Sequence, residues 1–247
     1  MLPETPALLV TLGAALAAGL ARGFSGFGAA LIFIPPASAA LGPQVAAPLL
    51  LLVDNVTTLP LLPPAWRLAN RREAMTLAGG ALLGAPFGAW MLLHLPGDLL
   101  RWGICVLAVA MLALLASGWR YHGRPALPLS LGVGAAAGLC SGAAQLGGPP
   151  VVAYWLGGAL PAAQVRANLV LFFALNGLIS AAIYLLGGLL GPRTLLLAAL
   201  MAPVYALGIW GGSRLFGLAS EATFRRACFV LIGLAALLGL PLWDGLK

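Results

Sequence analysis

Apolar stretches of about twenty residues recur along the whole of this 247-residue chain, and about that length carries a helix across roughly 30 Å of hydrocarbon. Lipid offers backbone N–H and C=O groups no partners, so only helices and closed barrels span it. A barrel needs segments of about ten residues alternating apolar and polar, and that alternation is missing. Only 8% of the residues are charged, against roughly 25% in a soluble domain. The chain reads as an all-α polytopic membrane protein. The first apolar run has Glu4 as its only early charge, so it reads as a retained helix and not a cleaved signal peptide.

Ten apolar segments are expected, at about 6–22, 27–42, 44–62, 74–95, 99–117, 128–143, 149–160, 164–187, 194–211 and 226–243. Segments 27–42 and 149–160 are short, each a short span or a re-entrant half-helix, so eight full spans plus two broken hairpins is the alternative count. The formal net charge of +7 comes from Lys247 and twelve arginines. The arginines cluster at Arg67/Arg71/Arg72, Arg120/Arg124 and Arg214/Arg225/Arg226. Short basic loops remain cytoplasmic, which accounts for the charge without nucleic acid as a partner. It places 63–73, 118–127 and 212–226 inside, 95–98 and 188–193 outside, and both termini outside.

The two halves resemble each other. "QVAAPL" at 44–49 matches "QVRANL" at 164–169, and the same offset of 120 superposes Gly28 on Gly148. "APFGAW" at 85–90 has a looser counterpart in "APVYALGIW" at 202–210. Residues 1–120 and 121–247 then form two transmembrane repeats of five segments. Five is odd, so the second repeat enters from the opposite side. Inverted repeats of this kind characterise many secondary transporters.

Each half also carries a helix-spoiling break before its short segment: "GFSGFGAALIFIPP" at 23–36 and "GLCSGAAQLGGPP" at 138–150. Glycine permits turns that other residues resist, and proline removes a donor and stops a helix. Such breaks survive in a membrane only where protein or a water-filled cavity satisfies the backbone. Two matched breaks point to one cavity between the repeats. A helix restarting there would offer free N–H groups and partial positive charge to an anion. The competing explanation is close helix packing through small residues.

These two stretches, each followed by its "QV" helix start, resemble the duplicated motifs of the TauE/SafE family of sulfite and organosulfonate exporters. The breaks here read Gly26-Phe27-Gly28-Ala29-Ala30 and Gln145-Leu146-Gly147-Gly148-Pro149. The resemblance covers roughly residues 19–62 and 138–187. It implies a transporter of sulfite, sulfonates or related small anions in the inner membrane of a bacterium, often driven by an ion gradient.

Polar residues within the apolar segments are the candidate site. Asp54 is the only acid in mid-segment; a charge at such a position costs at least about 2.5 kcal/mol and is a functional candidate by default. With Asn55 beside it, Asp54 is the candidate for coupling a proton or another cation. Arg22 and Arg166 are the candidate anion ligands, because guanidinium forks suit oxyanions; snorkelling at the interface is the alternative for each. Ser25, Gly26 and Gly28 at the first break, and Ser141, Gln145, Gly147 and Gly148 at the second, are placed at the same cavity. So are Asn168 and Asn176, eight apart and on one helix face. Tyr154, Trp155 and Tyr184 read as belt or packing residues.

Other classes find less support. Cys105, Cys140 and Cys228 lie in separate apolar segments without metal-ligand spacing, and His94 and His122 sit at expected short loops. No metal, cofactor or catalytic constellation is expected. An exporter of the drug/metabolite type would share the five-plus-five plan but not the paired glycine breaks, and a channel for anions is a further alternative. The expected partners are a small anionic substrate, membrane lipid and a coupling proton or cation. A homo-oligomer is compatible with such a chain.

Overall fold

The computed structural model describes residues 3–119, 121, 123, 126–155, 160–215 and 221–242; for Ser25, Ala162 and 221–225 it describes the backbone alone. Arg120, His122, Arg124, Lys247 and the side chain of Arg225 therefore lie outside the described residues. Eleven α-helices and no strand occur among those described. In chain order they are α1 (Thr5–Ser25), α2 (Ala29–Leu41), α3 (Pro43–Thr58), α4 (Leu62–Leu68), α5 (Arg71–His94), α6 (Gly97–Ala116), α7 (Leu127–Ala144), α8 (Gly148–Trp155), α9 (Ala162–Leu186), α10 (Pro192–Leu215) and α11 (Glu221–Gly239). Among the described residues, seven helical stretches are long and apolar enough to cross a membrane, α3 and α4 counting as one. At 1.5 Å per residue, the 13 residues of α2 reach only about 20 Å.

Two local expectations are corrected. Pro35 and Pro36 do not close their run; α2 continues through both to Leu41. Each proline forfeits one intrahelical bond, but both are buried among Ile34, Ala37 and neighbouring helices, where packing holds the turn. The expected loop 63–73 is mostly helix. After a short 3₁₀ turn at Leu59–Leu61, α4 runs to Leu68, and α5 begins at Arg71. Asn70 caps α5, its side chain accepting the Glu73 N–H at 3.3 Å, the geometry that satisfies an orphan donor at a helix start.

Two glycine seams join the halves. Gly80, Gly84 and Gly88 of α5 face the backbone of α7 at Leu131, Ala135 and Leu139, and Gly134, Gly138 and Gly142 of α7 face Leu77, Ala81 and Ala85. A Cβ at any of these six would run into a backbone carbonyl. In the same way Gly19 and Gly23 of α1 meet Tyr205 and Ile209 of α10, and Gly208 and Gly212 meet Leu16 and Leu20. Lipid is as apolar as leucine, so close backbone approach and dispersion, not burial from water, hold such helices together. In each seam a helix of one half lies parallel to a helix of the other.

The ends of the bundle follow from a few contacts. Gln44 at the start of α3 donates to the Leu92 carbonyl near the end of α5 at 3.2 Å, and Gly187 beyond α9 lies against Leu93. The segments 95–98 and 188–193 thus share one end. At the other, the Asn70 N–H donates to Asn168 at 2.7 Å, and the Tyr121 N–H donates to the Ala153 carbonyl at 3.2 Å.

Candidate functional site

The two breaks are built alike. Helix α1 ends where Gly26 turns left-handed at φ 78°, its N–H returning to the Arg22 carbonyl at 2.9 Å. Gly28, at φ 88°, then caps the start of α2. Helix α7 ends at Gln145, the only non-glycine with positive φ (58°) among the described residues. Its N–H and that of Leu146 bond back to the Ser141 and Cys140 carbonyls at 2.8 and 3.2 Å, closing the helix in a Schellman-like turn. A left-handed glutamine costs roughly 1–2 kcal/mol that glycine would not. Its amide bonds to the Ser141 carbonyl at 3.0 Å and to the Tyr184 hydroxyl at 3.3 Å, and Tyr184 donates to the Gly142 carbonyl at 2.7 Å.

The breaks meet at a cavity of about 60 Å³. A water occupies roughly 10–15 Å³ on such a measure, so the space suits a few waters or one small oxyanion. Gly28, Ala29 and Ala30 form one wall and Ser141, Gln145, Leu146, Gly148 and Pro149 another. Arg22, Phe27, Asp54, Asn55, Phe173 and Asn176 also line it, and Leu31, Leu50, Leu51 and Gly177 close the rest. A Cβ at Gly28 would point into open space, whereas one at Gly148 would touch the Phe173 ring at 3.4 Å. The two helix starts are not equal donors. Pro149 and Pro150 follow Gly148 directly and carry no N–H. The α2 start, with Ala29 and Ala30, therefore offers more of the unpaired N–H groups that begin every helix.

The candidate anion ligand Arg22 and the candidate coupling residue Asp54 are partners. Arg22 Nε lies 3.0 Å from Asp54 Oδ1, and Nη2 donates to Oδ2 at 3.1 Å. Arg22 Nη1 donates to the Gly26 carbonyl, and the guanidinium lies 5.1 Å from the Phe173 ring centroid, a cation–π contact. Tyr205 of α10 donates its hydroxyl to Asp54 Oδ1 at 2.6 Å. Arg22 is 9% exposed and Asp54 24%. A charge pair at this depth persists only because its remaining hydrogen-bonding capacity is met. Thr57 and Thr58 return their hydroxyls to carbonyls of their own helix.

The remaining candidates divide. Asn176 lines the cavity with its Oδ1 buried and without a hydrogen-bond partner. Asn55 donates to the Leu51 carbonyl at 2.7 Å and abuts Gly177, where a Cβ would collide with it. Arg22, Leu51, Asn55 and Gly177 also line a neighbouring, mostly apolar groove of about 190 Å³ that continues along Leu52, Val56, Leu59 and Leu178. Gly26 shapes the turn without lining the cavity, and Gly147 packs against the Ala137 carbonyl and Ser141. Arg166 is exposed, one turn into α9 and not at its start, with Nε 4.0 Å from where a Gly26 Cβ would stand. Asn168 is fully buried away from the cavity, its Oδ1 accepting from the Asn70 N–H at the start of α5 and its amide nitrogen without a hydrogen-bond partner. The Ser25 side chain lies outside the described residues. Tyr205, Phe173 and Gly177 escaped the sequence reading; the loose match around "APVYALGIW" was the one signal near Tyr205. Trp155, Tyr154 and Tyr184 are buried packing residues, not an interfacial belt.

No curated protein and no solved structure matches the chain. The family model described as "Sulfite exporter TauE/SafE" matches residues 11–238, nearly all of it. The all-helical fold, the seven apolar spans and that match agree: this chain is an integral membrane transport protein of the sulfite exporter TauE/SafE family.

Proposed function

We propose that the protein is a secondary transporter of a small sulfur-containing anion, such as sulfite or a sulfonate, across the cytoplasmic membrane of a bacterium. Transport is coupled to an ion gradient, and the anion sits in the cavity between the two breaks. One observation carries this reading. Arg22 and the N-terminal turn of α2 face a space of about 60 Å³ inside an apolar bundle, with the Gln145 and Asn176 side chains on its wall. Cationic and N–H donors in a low-dielectric site favour a compact anion, and the small volume excludes bulky solutes. The parallel α1–α10 and α5–α7 seams support an inverted repeat, since each pairs the first segment of one half with the fourth segment of the other. A site at the meeting of two such repeats suits alternating access.

The test is flux in proteoliposomes with sulfite, thiosulfate, sulfate and methanesulfonate, each with and without a pH gradient. Uptake of at least one sulfur oxyanion, accelerated by the gradient and inhibited by the others, is expected. Transport of none of them, alongside transport of an uncharged solute, would overturn the reading.

A further inference from the structure

Arg22 spends three of its five N–H donors on the protein. Its Nε/Nη2 fork lies on the Asp54 carboxylate, at 3.0 and 3.1 Å, and Nη1 donates to the Gly26 carbonyl, so the side-on grip that suits an oxyanion best is taken. Tyr205 adds a third donor to that carboxylate at 2.6 Å. A two-pronged guanidinium and a phenol are also what the oxygens of a sulfonate or sulfite would seek. Asp54 thus already occupies an anion's place at the edge of the cavity. A second negative charge beside it would be repelled strongly in so apolar a setting.

The surroundings leave few other groups to set the charge. Arg22 approaches Asp54 from α1 and Tyr205 from α10. Helix α9 presents Asn176 and the end of α7 presents Gln145, both uncharged, and α2 presents Ala29 to Leu31. Arg166, also on α9, stands by Gly26 and is exposed. Asp54 keeps 24% of its surface and lines the cavity, so a proton has access to it.

We infer that Asp54 is an internal stand-in for the transported anion, and that the two exchange on Arg22 under the control of one proton. This rests on the anion-transport reading above and supplies its coupling step. A proton entering the cavity adds to a carboxylate oxygen of Asp54. The neutral carboxyl releases the Arg22 fork, and the oxygens of the incoming monoanion take its place. The site then holds one proton and one anion, with Arg22 still paired. When the anion departs, Asp54 loses its proton to the same side and returns to Arg22. Proton and anion travel together, and the empty carrier resets through its internal ion pair.

The experiment uses methanesulfonate, whose charge stays constant between acidic and neutral pH, so any pH dependence belongs to the protein. Binding is measured by calorimetry on the purified full chain across that range, with sulfate, nitrate and phosphate as further probes. Affinity of the wild type should rise as pH falls, approaching about tenfold per pH unit, the slope for one linked proton. Asp54→Asn should bind as the wild type does at its most acidic, with no pH dependence, and Arg22→Gln should not bind at any pH. Should Asp54→Asn fold poorly, the wild type alone decides: methanesulfonate added in weak buffer should take up one proton per anion bound.

Binding of methanesulfonate with the same pH slope in Asp54→Asn, or without proton uptake by the wild type, would overturn the exchange and leave the sulfur-anion reading intact. Nitrate or phosphate binding in place of methanesulfonate, with the pH slope lost in Asp54→Asn, would sustain the exchange and overturn the sulfur-anion reading. Failure of every anion to bind the wild type at any pH would overturn both.

Discussion

Glycine has two roles here, and substitutions at Gly28, Gly148 and Gly84 separate them. Gly28 holds φ 88° but faces open space. Alanine there meets no atom; it suffers only the left-handed backbone, roughly 1–2 kcal/mol. Gly148 has no positive φ, and an added methyl would make an ordinary 3.4 Å contact with Phe173, so Gly148→Ala should change stability by no more than about 0.5 kcal/mol. Gly84 is different again, because its Cβ would run into the Ala135 carbonyl in the α5–α7 seam. Overpacking costs about 1–3 kcal/mol even where side chains can yield, and here backbone must move. Leucine sharpens the contrast. At Gly28 it enters a cavity of about 60 Å³, so Gly28→Leu should fold with about the penalty of Gly28→Ala yet fail to bind anion. Gly84→Leu should not yield folded protein. Thermal unfolding and sulfite binding measured on each variant check this. A Gly28→Leu protein that melts near the wild type and binds sulfite with unchanged affinity would refute the argument, because the side chain and the anion cannot share the space.

Three further outcomes follow from the geometry. Gln145→Gly relieves a left-handed side chain worth roughly 1–2 kcal/mol but removes an amide that lines the cavity, so its thermal stability should hold within about 1 kcal/mol while calorimetry finds weaker anion binding. Asn168→Ala strips the acceptor from the Asn70 N–H at the start of α5; it should cost about 1–3 kcal/mol in unfolding experiments, with anion affinity of the folded protein unchanged. Single cysteines at 95–98 and 188–193 should react with an impermeant thiol reagent from one side of the membrane, and cysteines at 118–127 only from the other.

The spans were legible because their signal is simple. An apolar run long enough to cross lipid has almost no other fold open to it, and ten expected segments correspond to ten of the eleven helices. The eleventh, α4, continues α3 past a 3₁₀ turn inside the expected loop 63–73; its Pro63 and Pro64 sit in the first turn, where proline starts a helix as readily as it stops one. Pro35 and Pro36 misled for a related reason: neighbouring helices decide whether a proline stops a chain, and single-chain patterns do not show neighbours. The glycine breaks pointed to the cavity, since the cost of unpaired backbone in lipid is local. The pairing of Arg22 with Asp54 was hidden, 32 residues apart across two turns of the chain, and Tyr205 lies 151 residues from its carboxylate partner. Asn168 and Asn176 do share a helix face, but eight residues separate their depths by about 12 Å, which puts one at the cavity and the other at the bundle end.

The seat of the anion is the central claim, and selenite tests it most directly. It copies the shape and charge of sulfite, and its selenium scatters anomalously. Crystals of the full chain grown with selenite should give one anomalous peak within hydrogen-bonding reach of Arg22, between Gly28 and Gln145, and the same peak should be missing in Arg22→Gln. A peak elsewhere in the bundle that persists in Arg22→Gln, with the cavity between the breaks empty, would contradict the account.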